Sequence, residues 1–307
     1  MLFDPRQLAA FDATVQTGSL SAAALTLRIT LAATSLRIKA LEESLGQRLL
    51  VRGKIARATP AGQALLTHIK QVRLLEADLQ QTLQPGSAGP RSGKAQAYQN
   101  ISVAVNADSL ASWFFPGIQA ALQKHKLTLN VTVDDQDHTL EWLKNGDVIG
   151  CVTTLPTPLR GCVAEPLGTM RYRCIAAPSL RDKLLGKKST IDLHQLIMQP
   201  AIAFNRKDGL QDQFLQQCFG VTDLSYPRHD IPAVDAYSHA LHNGLGWGMQ
   251  ADIQAPDDLP SGRLVDLFPG QFVDVPLFWH HWQREAPQAG RLTLAIKAAA
   301  GKLLITV

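Results

Sequence analysis

The stretch QPGSAGPRSGKAQAYQN, from Gln84 to Asn100, constrains the fold of this chain more than any other. It is rich in Gly, Pro, Ser and Ala and carries no apolar periodicity, so it reads as a linker. Before it, apolar residues recur at helical spacing. After it, short apolar runs alternate with helical segments. A chain of 307 residues punctuated in this way holds a small helical head and a larger α/β body.

The head reads as short helices followed by a hairpin. Pro5 suits a first helical turn, and Leu8, Ala9, Phe11, Asp12 and Val15 give one face before Gly18 ends the helix. Ser19 or Ser21 can cap the next helix, whose Ala22, Ala23, Ala24, Leu25 and Leu27 pack closely. A turn at Arg28-Ile29-Thr30 leads to a third helix that stops at Gly46. Two β-prone runs around Gly53-Lys54 form a wing. Thr59-Pro60 starts a long helix. In it Leu65, Ile69, Val72, Leu79 and Leu83 mark either a dimerisation seam or an amphipathic face lying on its own domain.

Charge divides with the architecture. Residues 1–84 hold ten Lys/Arg against six Asp/Glu, whereas residues 85–307 hold twenty of each. All the excess positive charge therefore sits in the head, as in a polyanion-binding module joined to a neutral partner domain.

The body reads as strand and helix in alternation. NISVAVNAD, LTLNVTVDD and DVIGCVTT are strands separated by helices over Ser109 to Gln123 and HTLEWLKNG. That order implies a parallel sheet. A second such unit has strands RYRCIAAP, PAIAF and GLGWGMQ, with helices over Leu210 to Phe219 and Ala233 to Asn243. PLFWHHWQRE and the helix after Pro287 return to complete the first lobe. Two α/β lobes place a small-molecule site at the carboxyl ends of their strands.

Helix, turn, helix and wing together form a winged helix-turn-helix that binds double-stranded DNA. On the third helix Thr34, Ile38, Leu41 and Leu45 share a core stripe, with Leu31 on its edge. The opposite face carries Ala32, Ser35, Leu36, Lys39 and Glu43, flanked by Arg37, and enters the major groove. Ser21, Thr30, Ser35 and Lys39 suit phosphate contacts, and Arg52 and Lys54 in the wing reach phosphates or a minor groove. Leu36 cannot hydrogen-bond a base edge but can pack against a thymine methyl.

The text LAAFDATVQTGSLSAAALTLRIT, then Ala33, Ser35, Ile38, LEESLGQRLLVR and TPAG, resembles the LysR-type transcriptional regulators. ISVAVNADSLASWFFP, VTVDD, AFNRKDG, FLQQ and LVDLFPGQF…PLFWHHW resemble its ArgP/LysG branch. The resemblance covers essentially the whole chain. It implies an α/β protein with a winged helix-turn-helix over 1–60 and a linker helix over 61–84 that pairs subunits through Leu65, Ile69, Val72 and Leu79. A flexible linker over 85–98 then leads to a periplasmic-binding-protein-like effector domain over 99–307. Its lobe I takes about 99–165 and 270–307, and lobe II about 166–269. It further implies a homodimer or homotetramer that answers to lysine or arginine, controls transport or biosynthesis genes, and has RNA polymerase as a candidate partner. The departures from the family pattern fall where DNA is read: Leu31 and Leu36 stand where polar residues are usual, and Thr34 where an aliphatic one is.

Within the body, Asn106-Ala107-Asp108-Ser109 opens a helix at the end of the first strand, an arrangement suited to a carboxylate. Asp134, Asp135 and Asp137 follow the second strand and can pair with an ammonium. Thr153 ends the third strand, and Asn205 and Asp208 take the same position in the other lobe. Each alone reads more readily as a cap or a solvated acid. Their convergence favours a cationic amino acid.

Other classes find no support. No phosphate loop, dinucleotide fingerprint, zinc-protease motif or nucleophile elbow occurs, so no catalytic residue, metal or cofactor is expected. His280 and His281 are adjacent in a strand and point to opposite faces. The four cysteines are widely spaced, and no signal peptide or membrane span is recognisable, which points to a cytoplasmic protein with reduced thiols and no membrane contact. Two alternatives stay open: a sequence-tolerant DNA-binding protein of the chromosome replication initiation inhibitor kind, and a regulator of the same family with another effector. The basic head and the lack of a recognisable signal peptide argue against a solute-binding protein.

Overall fold

The computed structural model describes residues 3–51, 53, 55–83, 98–133 and 136–306. They fall into two compact units, one of Met1–Gln96 with Glu141–Ile149, the other of Ala97–Leu140 with Gly150–Val307. Arg52, Lys54, Asp134, Asp135 and most of the expected linker lie outside the described residues, as does the side chain of Asp137.

In the first unit each of the chain's first four helices begins on a recognisable signal. The Asp4 carboxylate accepts the Arg6 N–H ahead of α1 (Pro5–Thr17), and Gly18 closes it in the left-handed region at φ 68°. Ser19, not Ser21, caps α2 (Leu20–Leu27). Thr30 caps α3 (Leu31–Leu45), its hydroxyl accepting the Ala33 N–H at 3.1 Å. Strands β1 (Leu50–Val51) and β2 (Arg57–Ala58) pair antiparallel as the wing. The Glu42 carboxylate accepts the N–H groups of Leu49 and Leu50, fixing the wing to α3. Thr59 caps α4 (Pro60–Leu83) through the Gly62 N–H.

The head's core joins Phe11, Ile38, Leu41, Leu49, Leu66 and Ile69, so α4 is packed into it rather than merely attached to it. A methyl group on Gly62 would overlap the Leu49 carbonyl, which shows how closely α4 approaches the wing. An ion pair at 2.7 Å joins the buried Asp12 of α1 to Arg73 of α4. Residues 144–147 lie on α4, with the Thr67 hydroxyl donating to the Lys144 carbonyl and Lys70 pairing with Asp147.

Three expectations about the head need correction. Leu31 is half exposed, because it lies a turn before the residues of its stripe that meet the core, Thr34, Ile38 and Leu41. Leu25 is exposed on α2, whose packing rests on Ala23 and Ala24. Leu65 and Ile69 are buried in their own head and are not available to a dimer seam, whereas Leu75 and Leu79 remain on the surface.

The second unit is built on one sheet. Strand β3 (Gln99–Val105) leads into a helical run of α5 (Ala107–Ser109), a π-helical turn over Leu110–Phe114, and α6 (Phe115–His125). Then come β4 (Leu127–Val133), α7 (Gln136–Lys144), whose residues from Glu141 on belong to the first unit, β5 (Gly150–Thr153) and β6 (Cys162–Ala176). The chain continues through α8 (Pro178–Leu185), α9 (Leu193–Ile197), β7 (Ala201–Ala203), α10 (Leu210–Phe219) and β8 (Arg228–Asp230). It ends with α11 (Val234–His242), β9 (Trp247–Ala251), α12 (Asp258–Ser261), β10 (Val265–Asp266), β11 (Val273–Trp282) and α13 (Pro287–Leu303).

The strand order is β4-β3-β5-β11-β6-β9-β7-β8, with β10 on β6. β3 is parallel to β4 and β5, and β7 is parallel to β8 and β9. The long β6 and β11 run antiparallel between these two groups. RYRCIAAP is therefore not the first strand of a second all-parallel unit but half of the crossover between the lobes. A bulge at Leu167-Gly168 interrupts the β6–β11 pairing, and Gly168 holds φ 136°, where other residues are strained.

His280 and His281 do diverge: His280 Nε2 lies 2.7 Å from the Leu155 carbonyl, and His281 Nδ1 lies 3.2 Å from the Glu285 carboxylate. Among the described residues no group of three His, Cys, Asp or Glu could hold a metal, and no helix is long and apolar enough to cross a membrane.

Candidate functional site

The carboxyl ends of the parallel strands surround a cavity of about 710 Å³ in the second unit. This is the position that the topology favours for a ligand. One wall is the β3–α5 junction, Asn106 to Asp108; the facing wall is the loop after β7, Asn205 to Gly209; β11 contributes Asp274.

Asp108 is the best-positioned acid. Tyr172 donates its hydroxyl to Oδ2 and Gln254 its amide to Oδ1, both at 2.7 Å. Burial raises the Asp108 pKa above the ordinary carboxylate value; the two hydrogen bonds pull the other way, and the charge of Asp208 adds to the rise. Burial, with Asp108 next, pushes the Tyr172 hydroxyl far up, so it stays a donor.

Asp208 is held differently. Its oxygens accept the N–H groups of Phe204 at 2.8 Å and Leu210 at 3.1 Å, which shapes the turn into α10. Asn205 accepts the Lys207 N–H on its side-chain oxygen. Asp274 is clasped by Arg171 through two bonds of 2.8 Å, and that guanidinium stacks 3.6 Å from the Phe272 ring. Asn106 is nearly buried, and its Oδ1 meets no donor among the described residues.

Four expected residues, Asn106, Asp108, Asn205 and Asp208, thus come together on the cavity wall. Ser109 and Thr153 do not: both are fully buried, Ser109 against the Met170 sulfur and Thr153 under the Leu155 N–H, while Thr154 lines the cavity instead. Tyr172, Gln254 and Asp274 were not singled out from sequence, since nothing local marks them.

The head offers a second surface. On α3 Ala32, Leu36 and Lys39 are exposed and Ser35 and Arg37 half-buried, while Lys39 pairs with Glu43 at 3.6 Å. Ser21 and Thr30 are exposed, with the Thr30 hydroxyl already engaged as a cap. Arg28, on the turn before α3, and Arg57, on the wing, are exposed.

Known proteins match both parts. Residues 5–63 match the family described as "Bacterial regulatory helix-turn-helix protein, lysR family", and residues 99–301 the "LysR substrate binding domain". The HTH-type transcriptional regulator ArgP of Pseudomonas aeruginosa is 36% identical over 307 residues, covering 100% of this chain and 99% of that protein. The crystal structure of ArgP from Mycobacterium tuberculosis superposes with a TM-score of 0.88 at 36% identity, over 99% of this chain and 100% of that one. Full-length LysG from Corynebacterium glutamicum with bound effector Arg gives a TM-score of 0.82 at 32% identity, with the same coverage.

Proposed function

The chain belongs to the LysR family of transcriptional regulators, of the ArgP/LysG kind, and on that premise we propose that its cavity senses a basic amino acid, arginine or lysine. It is a DNA-binding regulator with an effector domain, not an enzyme. The observation that carries the reading is the acidic lining of the cavity. Asp108, Asp208 and Asp274 line one cavity with Lys207, and Arg171 offsets the charge of Asp274, so the wall keeps an excess of acidic groups that favours a cationic occupant. A guanidinium or ammonium group meets that need. The C. glutamicum relative was solved with arginine bound, which supports the same class of ligand here.

In this reading the protein is cytoplasmic and works as a homodimer or homotetramer, with α4 pairing through Leu75 and Leu79. Arginine or lysine prefers one arrangement of the two lobes and shifts a pre-existing equilibrium by its difference in affinity for the two states. That shift resets the paired heads on DNA and controls transport or biosynthesis genes for the amino acid.

Thermal unfolding of the full chain with single amino acids tests the ligand. Arginine or lysine should raise the melting temperature, by an amount equivalent to about 2.7 kcal/mol at a hundred times the dissociation constant. Glutamine, which lacks the charge, should not. Asp108→Asn should remove most of the response. A shift with another metabolite and none with either basic amino acid would overturn the proposal.

A further inference from the structure

The first two turns of α3 expose a surface with little means of hydrogen bonding. Leu31 is 50% exposed and Leu36 69%, and Ala32 is exposed on the same helix. The hydroxyls nearby are engaged within the helix: Thr30 accepts the Ala33 N–H, and the buried Thr34 donates to the Thr30 carbonyl at 3.1 Å. One turn on, Lys39 is paired with Glu43. On the exposed face of these turns the Ser35 hydroxyl can hydrogen-bond, and the half-buried Arg37 lies at its flank.

This half of the helix is the part that meets base edges in a winged helix-turn-helix. A base pair presents one apolar group there, the C5 methyl of thymine. Arg28 on the turn before α3 and Arg37 on the flank of α3 supply positive charge beside the face, which complements phosphates flanking an apolar contact. Large apolar side chains held in water on a rigid helix are stabilised when a partner covers them.

We propose that Leu31, Ala32 and Leu36 form a methyl-reading surface, so that this regulator selects its operator by the positions of thymine methyl groups in the major groove. Hydrogen bonds to base edges take a minor part, and phosphate contacts set the register. The proposal rests on the assignment of α3 as the DNA-reading helix and extends it to how sequence is distinguished.

The test uses the full chain and DNA that differs by the methyl alone. A duplex enriched from a random library is resynthesised with deoxyuridine in place of individual thymidines. Loss of a contacted methyl should weaken binding about four-fold, the equivalent of burying one methyl-sized group. Leu36→Ala and Leu31→Ala should each reduce that preference while leaving the salt dependence of binding unchanged. Both side chains are exposed, so the helix should persist, as circular dichroism would show. Equal affinity for the thymidine and deoxyuridine duplexes overturns the methyl reading alone. Full retention of the preference by both alanine variants also overturns it. A library that yields no enriched duplex overturns sequence-selective binding itself, and this proposal with it.

Discussion

Asp108 carries a conflict that a ligand can resolve. Its carboxylate is set among protein atoms, where burial disfavours the charge and raises its pKa, yet two donors fix it in place at the edge of the cavity. A raised pKa means that the folded state holds this proton to higher pH than the unfolded chain does. The ionised group therefore lowers stability above its folded pKa, and that penalty disappears as pH falls through it. A cationic ligand offsets the same penalty by pairing with the charge. Arginine affinity should therefore weaken on acidification, beginning above the ordinary carboxylate range of about 3.9. Calorimetric titration from neutral toward acid pH checks this. Asp108→Asn should leave a weaker affinity with a flatter pH profile; an unchanged profile would remove Asp108 from the binding step. Asn106, Asp108, Asn205 and Asp208 were legible in sequence because each follows a strand. Tyr172 and Gln254 were not, since they lie 64 and 146 residues from the acid they orient.

Among the elements, the helices of the head were legible to within a residue or two because local chemistry specifies their ends. Thr30, Thr59, Gly18 and Gly46 each satisfy backbone groups at one helix terminus. The body was less so. β8 is three polar residues long, and no periodicity of that length stands out. β6 and β11 have the right strand character, but a run of residues does not record whether its neighbour is parallel or antiparallel. Packing between elements yields a sharper prediction. Gly117 on α6 lies against Ala299 of α13, and an added methyl group would overlap the Ala299 side chain. Gly117→Ala should destabilise the second unit by about 1–3 kcal/mol despite alanine's better helix propensity. Urea unfolding measures it. Increased stability would mean that α6 and α13 separate at little cost.

For the whole molecule, charge and apolar surface assign separate tasks to the parts. The excess of positive charge lies in residues 1–84, and the rest of the chain balances. DNA affinity should therefore fall steeply with salt, on the order of a thousand-fold between about 50 and 200 mM if six phosphates are contacted. Fluorescence anisotropy with the enriched duplex checks it, and an affinity independent of salt would contradict a phosphate-based footing. The sheet does its part through crossover strands: β6 and β11 join two parallel groups, so the cavity acids come from both sides of a single continuous sheet.

The sequence by itself determined the head, its caps, the strand-end acids and the family, because each rests on neighbours a few residues apart. Only the tertiary structure decided which of those residues share a space. Burial turned Leu65 and Ile69 inward and left Leu31 and Leu79 outside, although all four are leucine or isoleucine on helices. It also put Ser109 and Thr153 behind the cavity wall and Asp108 on it. Periodicity gives the face of a helix or strand, but the element packed against that face decides whether a side chain meets core, ligand or solvent.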